Sequence, residues 1–143
     1  PLVMAQNDPE YFVSLFKDYL EYVEQKNYVK AWESLTASSK YWIARLIADR
    51  LVREGKNVTR SQIYFEFEND SSGMRTAFFD ILNTNWINNG FFSKMRAAKF
   101  TVKSVTKDRA VVNIMDGKED RDFVAVRERG SWRVNFFEDL MRN

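Results

Sequence analysis

The chain has 143 residues, 45 % of them hydrophobic and 29 % charged, with twelve Phe, six Tyr and four Trp but only two Pro and five Gly, a balance that excludes disorder and fibrous repeats and fits one small soluble domain able to bury roughly 70 % of its unfolded surface. A formal net charge of +2 is too small for the clustered basic footprint of a nucleic-acid or membrane-surface protein. Cysteine and histidine are both absent, which removes disulfides, thiolate nucleophiles, zinc clusters, Ser-His-Asp triads and histidine metal sites together.

Residues 1–6 read as a disordered or processed leader remnant. Val3 and Ala5 stand where a signal-peptidase site wants small or branched residues, with polar sequence beyond. An arbitrary chain start explains them equally well, so an exported or periplasmic location and a cytoplasmic one stay open. No apolar run reaches the roughly 18–20 residues of a membrane span.

From residue 7 to 143 the chain reads as one domain. Asp8, Pro9 and Glu10 form a helix start, and Tyr11, Phe12, Leu15, Phe16, Tyr19, Leu20 and Val23 recur behind them at helical spacing until Gln25-Lys26-Asn27. A shorter helix is expected over Tyr28 to Leu35, with Tyr28, Ala31, Trp32 and Leu35 on one face. Thr36 to Ser39 then offers an N-cap for a helix over Lys40 to Glu54, whose inward residues would be Trp42, Ile43, Leu46, Ile47 and Leu51, stopped by Gly55.

Residues 58–69 carry two signals. Thr59-Arg60-Ser61-Gln62 has capping-box spacing, whereas Ile63, Phe65 and Phe67 alternate as in a half-buried strand; the helix is preferred. A further helix follows Gly73, with Met74, Ala77, Phe78, Ile81, Leu82 and Trp86 inward, ending at Asn88-Asn89-Gly90. From Ala97 the period falls to two. Phe100 and Val102, then Ala110 to Met115, Arg121 to Arg129, and Trp132, Val134 and Phe136 read as four strands joined by turns at Lys107-Asp108, Asp116-Gly117 and Arg129-Gly130. Short turns make the meander antiparallel, and the amphipathic helices upstream must cover one of its faces. The class is therefore α+β.

Two short patterns within this frame, Tyr28-Val29-Lys30-Ala31-Trp32 after the first helix and Gly130-Ser131-Trp132-Arg133-Val134 in the last strand, resemble the nuclear-transport-factor-2-like, or cystatin-like, superfamily. The resemblance covers most of the chain and implies a cone: helices packed on a curved antiparallel sheet of about four strands, with a mouth that holds a small ligand, an active site or a dimer partner. Members differ widely in activity, so the fold fixes no function. The helical stretch over about residues 40–69 departs from members that carry a first strand there.

Residues expected to line an apolar pocket are Trp32, Tyr41, Phe78, Trp86, Phe100, Trp132 and Phe136, although ordinary core packing accounts for the same aromatics. No catalytic residue, metal site or cofactor is indicated. The expected role is a non-catalytic binding module for a small apolar ligand or a protein partner. One alternative is a dehydratase or isomerase with Asp80 as general base and Tyr41 or Tyr64 as donor, which needs no histidine; the other is a structural domain that pairs as a homodimer through its sheet. Lys99, Lys103, Arg127, Arg129 and Arg133 could form a stripe on the outer sheet face, but Asp120, Asp122 and Glu128 among them favour a mixed solvated face. Glu66, Glu68 and Asp70 lack the glycine-centred loop of a calcium site.

Overall fold

The structure, a computed structural model, describes residues 8–135 of the chain. Helix α1 (Pro9–Glu24) opens on Asp8, whose carboxylate accepts the Glu10 N–H at 3.0 Å, with Pro9 at the first helical position. Its buried face is Phe12, Phe16, Tyr19, Leu20 and Val23. The helix closes in a Schellman turn: Lys26 takes a left-handed φ of 61° and donates to the Val23 carbonyl, while the Asn27 N–H reaches Tyr22 O at 2.7 Å.

Helix α2 (Tyr28–Glu33) stops short of the expected Leu35. Leu35 instead forms a parallel bridge to Val134, with Thr36 N–H donating to Val134 O at 2.9 Å and Val134 N–H donating to Ser34 O at 2.7 Å. Backbone pairing with the last strand satisfies these groups better than one more helical turn would.

Helix α3 (Ala37–Arg53) starts earlier than expected because Thr36 is the N-cap, its hydroxyl accepting the Ser39 N–H. Ile43, Ala44 and Ala48 form its buried face, whereas Trp42 and Leu46, expected inward, are 36 % and 41 % exposed. The small alanines let α4 (Arg60–Asn69) lie close against α3, and this close approach selects the alanine face over the bulkier one. Helix α4 itself follows the capping box: Thr59 accepts from Gln62 N–H at 3.1 Å and Gln62 accepts from Thr59 N–H at 2.8 Å. Ile63 and Phe67 face inward, and Phe65 is exposed.

Helix α5 (Met74–Asn88) is rotated relative to its apolar pattern. Arg75, Phe79 and Asn83 are buried, while Ala77 and Ile81 face solvent and Met74, Phe78, Leu82 and Trp86 flank the core. The reason is polar. Arg75 Nη1 donates to the carbonyls of Phe67 and Glu68 at 3.0 and 3.2 Å, and Asn83 Nδ2 donates to those of Val23 and Glu24 at 2.5 and 3.3 Å. Helix α5 thus donates to carbonyls at the C-terminal ends of both α4 and α1, where each helix's own bonds run out. Its own start is held by Asp70, which accepts the Arg75 N–H at 3.0 Å and the Thr76 hydroxyl at 2.6 Å. Burial alone would raise the Asp70 pKa, but the Thr76 and Arg75 donors bring it below the usual carboxylate value. Helix α6 (Phe91–Ala97), which periodicity did not reveal, places Phe92 and Met95 in the core.

Strands β1 (Lys99–Val105), β2 (Arg109–Asp116), β3 (Glu119–Glu128) and β4 (Ser131–Asn135) form an open antiparallel sheet in chain order. The β3–β4 hairpin turns on Arg129-Gly130 with φ of 51° and 80°, the two left-handed residues of a type I′ turn. Register places Phe100, Val102, Val112, Ile114, Phe123, Ala125, Trp132 and Val134 on one face. Helix α1 lies across it: Phe16 stacks on Phe123 at 4.5 Å between ring centres, and Phe12 meets Trp132 edge-on at 4.9 Å. The other face is mixed, with Lys103 bound to Asp122 at 3.0 Å. Arg127, expected in that outer row, pairs in register with Trp132 and belongs to the covered row instead. No described helix is long and apolar enough to cross a membrane.

Candidate functional site

The aromatic residues nominated from sequence are distributed through the molecule. Trp32 is buried and packs against Phe67 at 5.2 Å, and Phe78 meets the same Phe67 ring from another side at 5.8 Å. Phe100 packs on Phe16, with the Lys17 ammonium over its ring. Trp132 borders a shallow cleft with Tyr22 and Ser131. Tyr41 is 59 % exposed and stacks on Tyr64. Trp86 lines a different cleft, beside α6. Phe136 lies outside the described residues.

Asp80 is half-buried and accepts the Tyr28 hydroxyl at 2.6 Å. The tyrosine that reaches it is therefore Tyr28, not Tyr41 or Tyr64. Burial first, then this hydrogen bond and the charge of Asp80, push the Tyr28 phenol well above its ordinary pKa. The pair ties α2 to α5 beside a depression formed by Asp80, Ile81, Thr84 and Asn85. A carboxylate already bonded to a phenol that holds its proton this firmly is poorly placed as a general base.

A second polar region surrounds Lys40. Its ammonium lies 5.4 Å from the Trp32 ring centre and pairs with Glu68 at 3.7 Å. Burial first, and then a hydrogen bond with Glu68, push the Tyr64 phenol up to about 12. Glu128 accepts from the Ala37 N–H and pairs with Arg133 at 3.9 Å. Four charged groups of this cleft, Lys40 with Glu68 and Arg133 with Glu128, therefore engage one another.

The cleft beside Trp86 differs on that point. It lies between α5, α6 and the β2–β3 hairpin, with a volume of about 450 Å³. Leu82 and Met95 form its base, and Trp86 and Phe91 pack together at 4.8 Å with their planes 33° apart. Arg121 enters from the covered face of β3, where it is in register with Ile114. Its guanidinium lies 6.0 Å from the Phe91 ring centre and binds Glu119 at 2.6 Å. Asn85, Asn89, Lys94 and Asp116 complete the rim. Among the described residues their side chains make no hydrogen bond or ion pair within the chain.

Only Trp86 of this cleft was nominated from sequence. Two signals in the chain point to the rest: Asn85 and Asn89 stand one helical turn apart around Trp86, and Arg121 falls in the same row of its strand as Phe123 and Ala125. Among the described residues no group of acidic side chains is arranged to hold a metal ion. Comparison with protein-family models, with curated proteins and with solved structures finds no match for the chain.

Proposed function

We propose that this chain is a non-catalytic binding module that holds a small ligand in the cleft between α5, α6 and the β2–β3 hairpin, on a cone-like scaffold of the nuclear-transport-factor-2-like kind. The observation that carries the reading is a base of Leu82 and Met95 beside the packed Trp86–Phe91 pair, rimmed by four polar side chains that make no hydrogen bond or ion pair with other described residues. A volume of about 450 Å³ falls in the usual range for small-molecule sites.

The dehydratase or isomerase alternative has less support. Its carboxylate, Asp80, is engaged by Tyr28, and the Tyr41–Tyr64 stack belongs to the Lys40 region. For the scaffold, helices on one sheet face and the Leu35–Val134 bridge fit the resemblance carried by the Ala-Trp and Gly-x-Trp-x-Val patterns.

The test is a fragment screen read by amide and indole resonances of labelled protein. Saturable shifts are expected to cluster on the Trp86 indole N–H, Asn89 and Arg121. Clustering at the Asp80 depression or the Lys40 cleft, with Trp86 unmoved, would overturn the assignment.

A further inference from the structure

We propose that a second cleft, where the end of α2 meets the edge of β4, binds a phosphate group, free or as a small-molecule monoester. It shares no lining residue with the Trp86 cleft and has a volume of about 440 Å³. Three elements each send one cation to it: Lys30 from α2, Lys40 from α3 and Arg133 from β4. Glu33 is the one acid among the described lining residues. The lining therefore carries +2, as much as the whole chain.

The three cations keep donors available. Lys30 lies 5.7 Å from the Tyr22 ring centre and has no carboxylate partner among the described residues. Lys40 and Arg133 stand 3.7 and 3.9 Å from Glu68 and Glu128, farther than a hydrogen bond reaches. Arg133 donates through Nη1 to the Glu33 carbonyl, which ties β4 to α2 and leaves its other N–H groups without hydrogen bonds among the described residues. Lys40 is already held in place, its side chain 13 % exposed and its ammonium 5.4 Å from the Trp32 ring centre, so it loses little freedom when a ligand arrives.

The backbone adds a fourth donor. Val134 bonds outward from β4 to Ser34 and Thr36. Strand alternation turns the Trp132 N–H, two residues back, to the same edge, where no described backbone group accepts it. A phosphate monoester brings nearly two negative charges and three terminal oxygens, one for each cation. A carboxylate offers one charge and two oxygens, and a cationic ligand would meet three like charges.

The experiment titrates labelled protein with inorganic phosphate and with glycerol 3-phosphate, beside glycerol, acetate and sodium chloride at matched ionic strength. The reporters are the Trp132 indole and backbone N–H groups and the Ser131 amide. Both phosphates are expected to give saturable shifts there, and the tighter of the two tells whether the group is taken free or esterified. Lys30→Gln, at an exposed position, is expected to weaken phosphate about tenfold, as loss of one charge-assisted hydrogen bond does. Lys56→Gln, an equal change of charge on an exposed residue beyond α3, is expected to leave it unchanged. The proposal falls if chloride or acetate moves the reporters as far as phosphate does, if the shifts do not saturate, or if the two lysine variants weaken binding equally. The Trp86 and Asn89 resonances are expected to stay still, so failure here leaves the Trp86 cleft standing.

Discussion

Asn83 ties α5 to the end of α1 within the helical layer. It is 2 % exposed, and its amide bridges the last carbonyls of α1 at 2.5 and 3.3 Å. Asn83→Ala removes both bonds and leaves a void, so a loss of about 1–3 kcal/mol is expected. Urea unfolding would read it as a lower midpoint at unchanged slope; an unchanged midpoint would show that the amide is dispensable. Nothing in an apolar count marks Asn83, because a polar residue at a buried position looks like a break in the pattern until its acceptors are known. The same holds for Arg75, whose guanidinium serves α4 in the same way.

Tyrosine ionisation gives a second prediction at this scale. Burial pushes the phenols of Tyr19, Tyr28 and Tyr64 up, Tyr64 from 10.0 to about 12. Because the folded state keeps these protons while the unfolded chain loses them, stability is full below pH ~10 and falls as pH rises. For Tyr64 the loss runs between its unfolded value of 10.0 and about 12. Melting temperature followed through this alkaline range should drop more steeply for the native chain than for Tyr64→Phe or Tyr28→Phe. Parallel curves would show that these phenols are not held by the fold.

Among the elements, the end of α1 is strained where the end of α3 is not. Both close in Schellman turns, but α3 places Gly55 at the left-handed position, φ 85°, whereas α1 places Lys26 there, φ 61°. A side chain in that conformation costs about 1–2 kcal/mol, and glycine costs about 0.5–1 kcal/mol in unfolded-chain entropy. Lys26→Gly should therefore stabilise by about 0.5–1 kcal/mol, visible as a raised urea midpoint; a lowered midpoint would refute the strain. Sequence chemistry located α1, the capping box of α4 and the β3–β4 turn, because Asp8-Pro9, Thr59 with Gln62, and Arg129-Gly130 act on their immediate neighbours. It placed Ile43, Ile47 and Leu51 of α3 and Met74, Phe78, Leu82 and Trp86 of α5 in or against the core, but put Trp42, Leu46, Ala77 and Ile81 inward as well. There the decision is tertiary: Ala44 and Ala48 take the buried face of α3, and Arg75 and Asn83 answer carbonyls of other helices. The candidate cleft was legible only through Trp86 for the same reason. Its other walls come from α6, which is too short for a periodic signal, and from Asp116, Glu119 and Arg121 around a hairpin more than twenty residues further along the chain.

At the scale of the whole molecule, the two edges of the sheet are protected differently. Residues Ser34 to Thr36 cover β4 through hydrogen bonds of 2.7 and 2.9 Å with Val134. Strand β1 has no such cover among the described residues, since its only strand partner is β2. It carries Lys99 and Lys103 on the exposed face and an irregularity between Val102 and Ser104, two features that discourage edge-to-edge pairing. Two copies meeting antiparallel along β1 would bring these lysines together, and each would resist burial beside its counterpart. The chain is therefore expected to sediment as a monomer at high micromolar concentration, and a Lys99→Val, Lys103→Thr double variant is expected to associate as concentration rises. A native chain that sediments as a dimer, and a double variant no more associated than it, would show that the β1 edge is itself an interface and that its lysines face something other than water.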